Sequence, residues 1–198
     1  MKAAVLYSGG KDSSLMAILL KRMAIELDLV TINFGVYDSY ISAQKSAKAL
    51  NLNHKVIKLD KSILKSAIDI INSDGFPNNG INFIHKEVIE NIAKLSQYDI
   101  IADGTRRDDK VPKLNKNDIQ SLEDRFNIQY INLDSFGYKT IDLFVNKFFY
   151  LKKEKSHPDK SSDYEVEIRK FIDENGGNSS EIFPIHYQTK VNGLKEDI

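Results

Sequence analysis

Between the apolar segment Ala3-Ala4-Val5-Leu6 and a helix-period stretch lies the run Ser8-Gly9-Gly10-Lys11-Asp12-Ser13-Ser14. These residue types at a strand-to-helix junction make an anion site. Gly9 and Gly10 let backbone approach an anion, the first amides of the helix point at it, and Lys11 adds a full positive charge. Ser8, Ser13 and Ser14 supply hydroxyl donors. Asp12 is the discordant member: a carboxylate among phosphate donors repels phosphate unless a divalent cation lies between them, which points to Mg²⁺. The Walker loop is excluded, because Val5 stands where its first glycine belongs and Asp12 where its Ser or Thr belongs. The dinucleotide pattern fails too, since Gly9 and Gly10 are the only glycines in this turn.

A second run, Ile100 to Asp109 (IIADGTRRDD), repeats the arrangement of apolar segment, glycine turn and carboxylates. Alone it reads as a solvated helix start. Its weight comes from the elements that carry both runs. Apolar, β-branched segments at Ala3–Tyr7, Leu29–Phe34, Lys55–Leu59, Asp99–Ala102 and Gln129–Leu133 alternate with helix-period stretches at 13–27, 40–50, 62–72, 82–95 and 117–126. That alternation predicts an α/β fold, a doubly wound parallel sheet with helices on both faces. In such a sheet ligands sit beyond the carboxyl ends of the strands, where both runs fall.

"SGGKDSS" after a first strand resembles the signature of the PP-loop ATP pyrophosphatases, within the adenine-nucleotide alpha-hydrolase superfamily. The resemblance implies a five-stranded sheet of order 3-2-1-4-5 over residues 1–135. It also implies ATP and Mg²⁺ as cofactors, ATP split between the α and β phosphates, and the loop Ser8 to Ser14 gripping the leaving pyrophosphate. Gly104, Thr105 and Asp109 fit the family's second turn by position, which makes Asp109 a second Mg²⁺ ligand beside Asp12. Arg106 or Arg107 is then the cation facing charge on the α-phosphate, where a preorganised cation contributes on the order of 3 kcal/mol. The choice between the two arginines, and between Asp108 and Asp109, stays open. Asn33 and Phe34 end the strand that borders the adenine pocket in the resembling fold.

The rest of the chain narrows the chemistry. Cysteine is absent, which removes thiolate zinc sites, iron–sulfur clusters and any Cys nucleophile or persulfide on this chain. The PP-loop branches that thiolate tRNA through their own cysteines, and the deazaguanine nitrile synthase branch, therefore do not match. The implied reaction is adenylation of an acceptor, a tRNA base or a small amide or carboxylate, with any nitrogen or sulfur supplied from solution or by a protein partner. Short stand-alone archaeal PP-loop proteins with a "GTRRDD"-like motif, described as tRNA-modification subunits, are the nearest resemblance. A partner subunit that holds ATP or AMP without turnover is the alternative.

With 28 basic and 28 acidic residues, total charge says nothing about nucleic acid, yet the charges are segregated. Arg106–Lys116 and Lys147–Lys160 each hold five basic and two acidic residues, whereas 161–181 holds two basic and six acidic. A basic rim of this kind steers an anionic acceptor. No leader pattern and no long apolar span is visible, so a cytoplasmic location without membrane contact is expected. Residues 136–198 read as a helical extension packed on the first domain. It comprises a helix over Tyr138–Lys153, a linker KEKSHPDKSS, a helix over Asp163–Asn175 and an extended tail. In that tail His186, Gln188, Thr189 and Lys190 either pack or fold back over the crevice. His54 and His85 fall in core elements and His157 in the linker, all three read as structural or solvated.

Overall fold

The computed structural model describes residues 1–155, 162–183 and 187–195. The chain runs β1 (Lys2–Leu6), α1 (Lys11–Arg22), β2 (Glu26–Asn33), α2 (Tyr40–Ala49), β3 (His54–Lys58), α3 (Lys61–Asp74), α4 (Asn78–Lys94), β4 (Ile100–Arg106), α5 (Lys116–Phe126) and β5 (Gln129–Leu133). These five strands form one parallel sheet of order β3-β2-β1-β4-β5. The three most apolar runs occupy its centre, where both faces are covered and alternation gives way to continuous burial.

Two apolar layers sandwich the sheet. On one face Ala4, Leu6, Val30, Ile32 and Ile101 meet Leu64, Ile68 and Ile71 of α3 and Ile84, Val88 and Ile92 of α4. On the other, Ala3, Val5, Leu29 and Ala102 meet Leu15, Met16 and Ile18 of α1 and Ala43 and Ala47 of α2. Leu15 and Ile18 are fully buried, each contributing roughly 1.5–3 kcal/mol. Helix α1 thus has its amino end fixed by packing of its whole length, so the loop before it is presented at a defined height above β1.

The remaining elements are α6 (Tyr138–Phe148), β6 (Phe149–Lys155), α7 (Tyr164–Glu174), α8 (Ser179–Ile182) and β7 (Tyr187–Leu194). They add to both layers: Ile141, Val145, Phe148, Phe149 and Val191 join the α1 side, and Ile168, Ile172 and Phe183 the α4 side. Four expectations need correction. The helix expected over 138–153 stops at Phe148, because the following residues pair antiparallel with β7 from Phe149↔Leu194 to Lys155↔Tyr187. The segment beyond residue 135 is therefore a mixed α/β addition, with a two-stranded ribbon beside its helices. The presumed linker begins inside β6, while residues 156–161, His157 among them, lie outside the described residues. Helix α1 also ends earlier than expected: Ala24 takes a left-handed φ of 58°, and Glu26 and Leu27 already pair with Lys2 and Ala3. No helix among the described residues is long and apolar enough to cross a membrane.

Candidate nucleotide site

A cavity of about 520 Å³ opens above the carboxyl ends of β2, β1 and β4. Its wall combines the loop after β1 (Ser8, Gly10 to Ser13), the end of β4 with the following turn (Asp103 to Arg106, Asp109), and Gln188 to Lys190 of β7. The two sequence runs therefore meet in one place, as the adjacency of β1 and β4 requires.

The loop after β1 is tightly held. Gly9 takes a φ of +76° and sits with its Cα toward α2, where an added Cβ would stand 3.2 Å from Ala43 Cα and from Ser46 Cβ. Gly10, extended, caps α1 without a side chain, and its carbonyl accepts from Ser14 N–H (3.1 Å) and Ser13 Oγ (3.2 Å). Ser8 Oγ accepts from Gly10 N–H at 3.4 Å. Ser46 Oγ donates to Val191 O at 2.7 Å, Val191 N–H donates to Gly9 O at 3.3 Å, and Gly10 bridges Lys190. Strand β7 is thereby stitched beside the loop, with Val191 packed in the core and Gln188 to Lys190 on the cavity wall. Lys190 itself turns outward to Ser42 Oγ (2.6 Å) and Glu154 (3.3 Å); His186 lies outside the described residues.

At β4 the crucial residue is Gly104. A Cβ there would stand 2.4 Å from Ser13 N, 2.7 Å from Asp12 C and 2.9 Å from Ser13 Cα. Only glycine lets the second strand end touch the first turn of α1, and that contact brings the charged groups together. Lys11 Nζ donates to Asp12 Oδ1 at 2.7 Å, Arg106 Nε stands 3.7 Å from Asp12 Oδ2, and Arg106 Nη2 donates to Asp109 Oδ1 at 2.6 Å. The Asp109 hydrogen bond, ahead of the nearby Asp12 charge, holds the Arg106 guanidinium above its already high pKa. Arg107 and Asp108 do not line the cavity, and their side chains are 60% and 52% exposed, whereas Arg106 and Asp109 lie on its wall.

Besides Gly9, which packs toward α2, three expected ligand residues do not face the cavity. Ser14 is fully buried with its hydroxyl on Tyr7 OH at 3.1 Å, because it lies on the core side of α1. Asn33 spends its side chain on its own turn, donating to Tyr37 O (2.7 Å) and accepting from Gly35 N–H (3.0 Å). Phe34 is core, and its backbone N–H is taken by the buried Glu167 of α7 at 2.9 Å, which also accepts from Val36 and Tyr37. Burial raises the Glu167 pKa against the lowering effect of those amides. Val30 and Ile32 line the cavity from the β2 side instead.

Sequence reading missed a buried polar cluster in the cavity floor. Asp103 Oδ1 accepts from Thr105 N–H (2.8 Å) and Oγ1 (2.6 Å), and Oδ2 accepts from Tyr130 OH. His85 of α4 brings Nε2 to 3.0 Å from Asp103 Oδ2, at ion-pair distance but without hydrogen-bond alignment. His85, read from sequence as a core histidine, is buried but reaches the cavity wall. Burial alone would raise the Asp103 carboxyl; His85, Thr105 and Tyr130 outweigh it and hold the pKa below the ordinary value. A depressed carboxyl stabilises the fold above its unfolded pKa and loses that contribution as pH falls through the folded one. Asp103→Asn is therefore expected to lower stability at neutral pH and to flatten the loss of stability below about pH 4, measured by urea unfolding across pH.

Lys11, Arg106 and the amides that open α1 have the charge and direction that suit an anion. Asp12, 25% exposed on the wall, fits a single protein ligand to Mg²⁺. No cluster of three or more His, Cys, Asp or Glu stands together among the described residues, so other ligands would come from phosphate and water.

Comparison with known proteins places this geometry in a lineage. Residues 1–193 match the model of a family of unknown function, DUF7411. The chain belongs to that family. An uncharacterized protein of Methanocaldococcus jannaschii is 50% identical over 199 residues, covering 100% of this chain and 98% of that protein. A crystal structure described as a predicted subunit of tRNA methyltransferase, from the same organism, superposes with a TM-score of 0.92 at 50% identity over 100% of both chains. A 7-cyano-7-deazaguanine synthase of Staphylococcus epidermidis is 37% identical over 89 residues, 39% of each chain. This DUF7411 member thus shares its whole fold with the tRNA methyltransferase-subunit relative and a shorter segment with a deazaguanine synthase.

Proposed function

We propose that this DUF7411 member is a PP-loop ATP pyrophosphatase that binds ATP with Mg²⁺ and adenylates an acceptor, releasing pyrophosphate. The observation that carries the reading is the meeting of two strand ends: Gly104 against Ser13 puts Lys11, Asp12 and Arg106 on one cavity wall. Under this reading the free amides at the start of α1 and Lys11 hold the β and γ phosphates. Arg106 faces charge developing on the α-phosphate. Asp12 holds Mg²⁺, which when bound supplies neutralising charge between carboxylate and phosphates. The side of the cavity lined by Leu6, Val30 and Ile32 is apolar and suits the adenine ring.

A tRNA base is the favoured acceptor, with a role in tRNA modification. The relative described as a predicted tRNA methyltransferase subunit supports this, and so does the partial likeness to a deazaguanine synthase. The subunit description also favours the second reading, a nucleotide-holding partner subunit without turnover. Lys152, Lys153 and Lys155 on β6, a strand whose partner β7 lines the cavity, offer a basic rim for RNA; Lys160 lies outside the described residues.

The test is pyrophosphate release from ATP and Mg²⁺ on adding total tRNA or pools of small metabolites. With tRNA as acceptor, release follows tRNA, and binding weakens with salt by a log–log slope of about 0.7–0.9 per phosphate contact. Lys152→Ala, Lys153→Ala and Lys155→Ala together then weaken tRNA binding and leave ATP affinity alone. Release that follows the metabolite pool moves the acceptor to a small molecule, and ATP binding without release under either addition favours the partner-subunit reading.

A further inference from the structure

Arg106 and Asp109 are joined by three hydrogen bonds to the carboxylate. Asp109 Oδ1 accepts from Arg106 Nε (3.1 Å) and Nη2 (2.6 Å), and Oδ2 accepts from the Arg106 backbone N–H at 2.8 Å. The Asp109 N–H returns to Arg106 O at 3.1 Å and closes the turn. Both carboxylate oxygens are thereby committed to one residue, with the guanidinium held from two of its nitrogens, an orientation lysine could not reproduce. The pair is not core: the side chains remain 22% and 23% exposed on the cavity wall.

The adjacent Arg107 and Asp108 have the same residue types yet stand 3.8 Å apart on the surface, so the coupling belongs to this pair and not to a charge-rich turn in general. Arg106 Nε also stands 3.7 Å from Asp12 Oδ2, while Lys11 Nζ meets Asp12 Oδ1 at 2.7 Å, so the guanidinium is shared between a close Asp109 and a more distant Asp12. Two carboxylates flanking one guanidinium also leave no room for a shared metal unless the arginine departs.

We infer that Asp109 is a positioning residue that orients Arg106 toward the cavity, and that Asp12 alone provides the protein's carboxylate to the metal. The metal half of this inference rests on the reading of the cavity as an ATP·Mg²⁺ site; the pairing half does not. Mg²⁺ commonly keeps several waters and takes one or two carboxylates besides phosphate, so a single Asp12 suffices.

The experiment titrates ATP by calorimetry at a series of Mg²⁺ concentrations, for wild type, Asp12→Asn, Asp109→Asn, Arg106→Ala and the Arg106→Ala/Asp109→Asn double variant. Nitrogen-15 NMR follows the Arg106 Nε–Hε signal without nucleotide. Asp109→Asn is expected to weaken ATP binding about 10-fold while the Mg²⁺ concentration for half-maximal affinity stays within about twofold of wild type. The double variant binds ATP no more weakly than Arg106→Ala, because the two residues act as one unit. Asp12→Asn raises the Mg²⁺ requirement about 10-fold or more. Asp109→Glu, which keeps the charge but displaces the fork, behaves as Asp109→Asn and serves if the latter unfolds. An Asp109→Asn variant whose Mg²⁺ requirement rises like that of Asp12→Asn, or losses that add in the double variant, would overturn the inference. If wild type binds no ATP at any Mg²⁺ concentration, the ATP reading fails separately. The pairing is then decided by NMR: a resolved, slowly exchanging Arg106 Hε in wild type that disappears in Asp109→Asn supports it, and its absence from wild type overturns it.

Discussion

Asp12→Asn is expected to fold normally and to release pyrophosphate at least about 100-fold more slowly than wild type, the loss typical of removing a direct metal ligand. The fold survives because the side chain lies on an open wall, with Lys11 and Arg106 beside it and no core neighbour. The chemistry does not survive, because Asn cannot neutralise a divalent ion between loop and phosphates. A second signature separates this cause from general damage. Removing the carboxylate leaves Lys11 and Arg106 without their shared anion, so ATP affinity in the absence of Mg²⁺ rises while the Mg²⁺-dependent gain disappears. Near-normal turnover at saturating Mg²⁺ counts decisively against the role given to Asp12.

Gly104→Ala is expected to be the most damaging small substitution in the site. Its methyl would overlap Ser13 N, Asp12 C and Ser13 Cα, all at less than 3 Å and all backbone atoms that cannot rotate away. Helix α1 must shift against a buried face that includes Leu15 and Ile18, an overpacking cost of about 3 kcal/mol or more. Denaturant unfolding measures the stability, and ATP titration of the folded fraction shows whether the two strand ends still meet. Gly10→Ala is the control: its φ is −75°, and an added Cβ meets Ser8 Oγ at 3.2 Å and Thr189 O at an ordinary 3.9 Å, so stability changes by less than about 1 kcal/mol. If Gly104→Ala is as mild as the control, the close approach is not what assembles the site.

Much of this architecture is legible in the chain because period and burial agree. The continuous apolar runs at β1, β2 and β4 belong at the sheet centre, and Ser8-Gly9-Gly10-Lys11 at a strand end has few readings besides an anion loop. The boundary at Phe148 was not legible. Phe148 and Phe149 extend a helical pattern of aromatic residues, and only pairing with a strand some forty residues later makes the second of them extended. Tertiary pairing of this kind overrides local period. Ser14 shows a different limit: a residue type suited to phosphate is claimed by the Tyr7 hydroxyl because helical phase turns it inward. Phe34 lies off the cavity with its N–H held by a carboxylate far away in sequence, Glu167 of α7, whereas the Asn33 side chain is taken up locally by Tyr37 O and Gly35 N–H. Asp103 and His85 gave no sequence signal of partnership, since a histidine on an apolar helix face and an aspartate before a glycine become a pair only when α4 lies on β4.

Cleavage of ATP between the α and β phosphates is read by chromatography of a reaction on α-labelled ATP with Mg²⁺ and total tRNA. Label is expected in AMP or in an adenylated acceptor, with pyrophosphate formed in equal amount. Label accumulating in ADP with release of inorganic phosphate would contradict it.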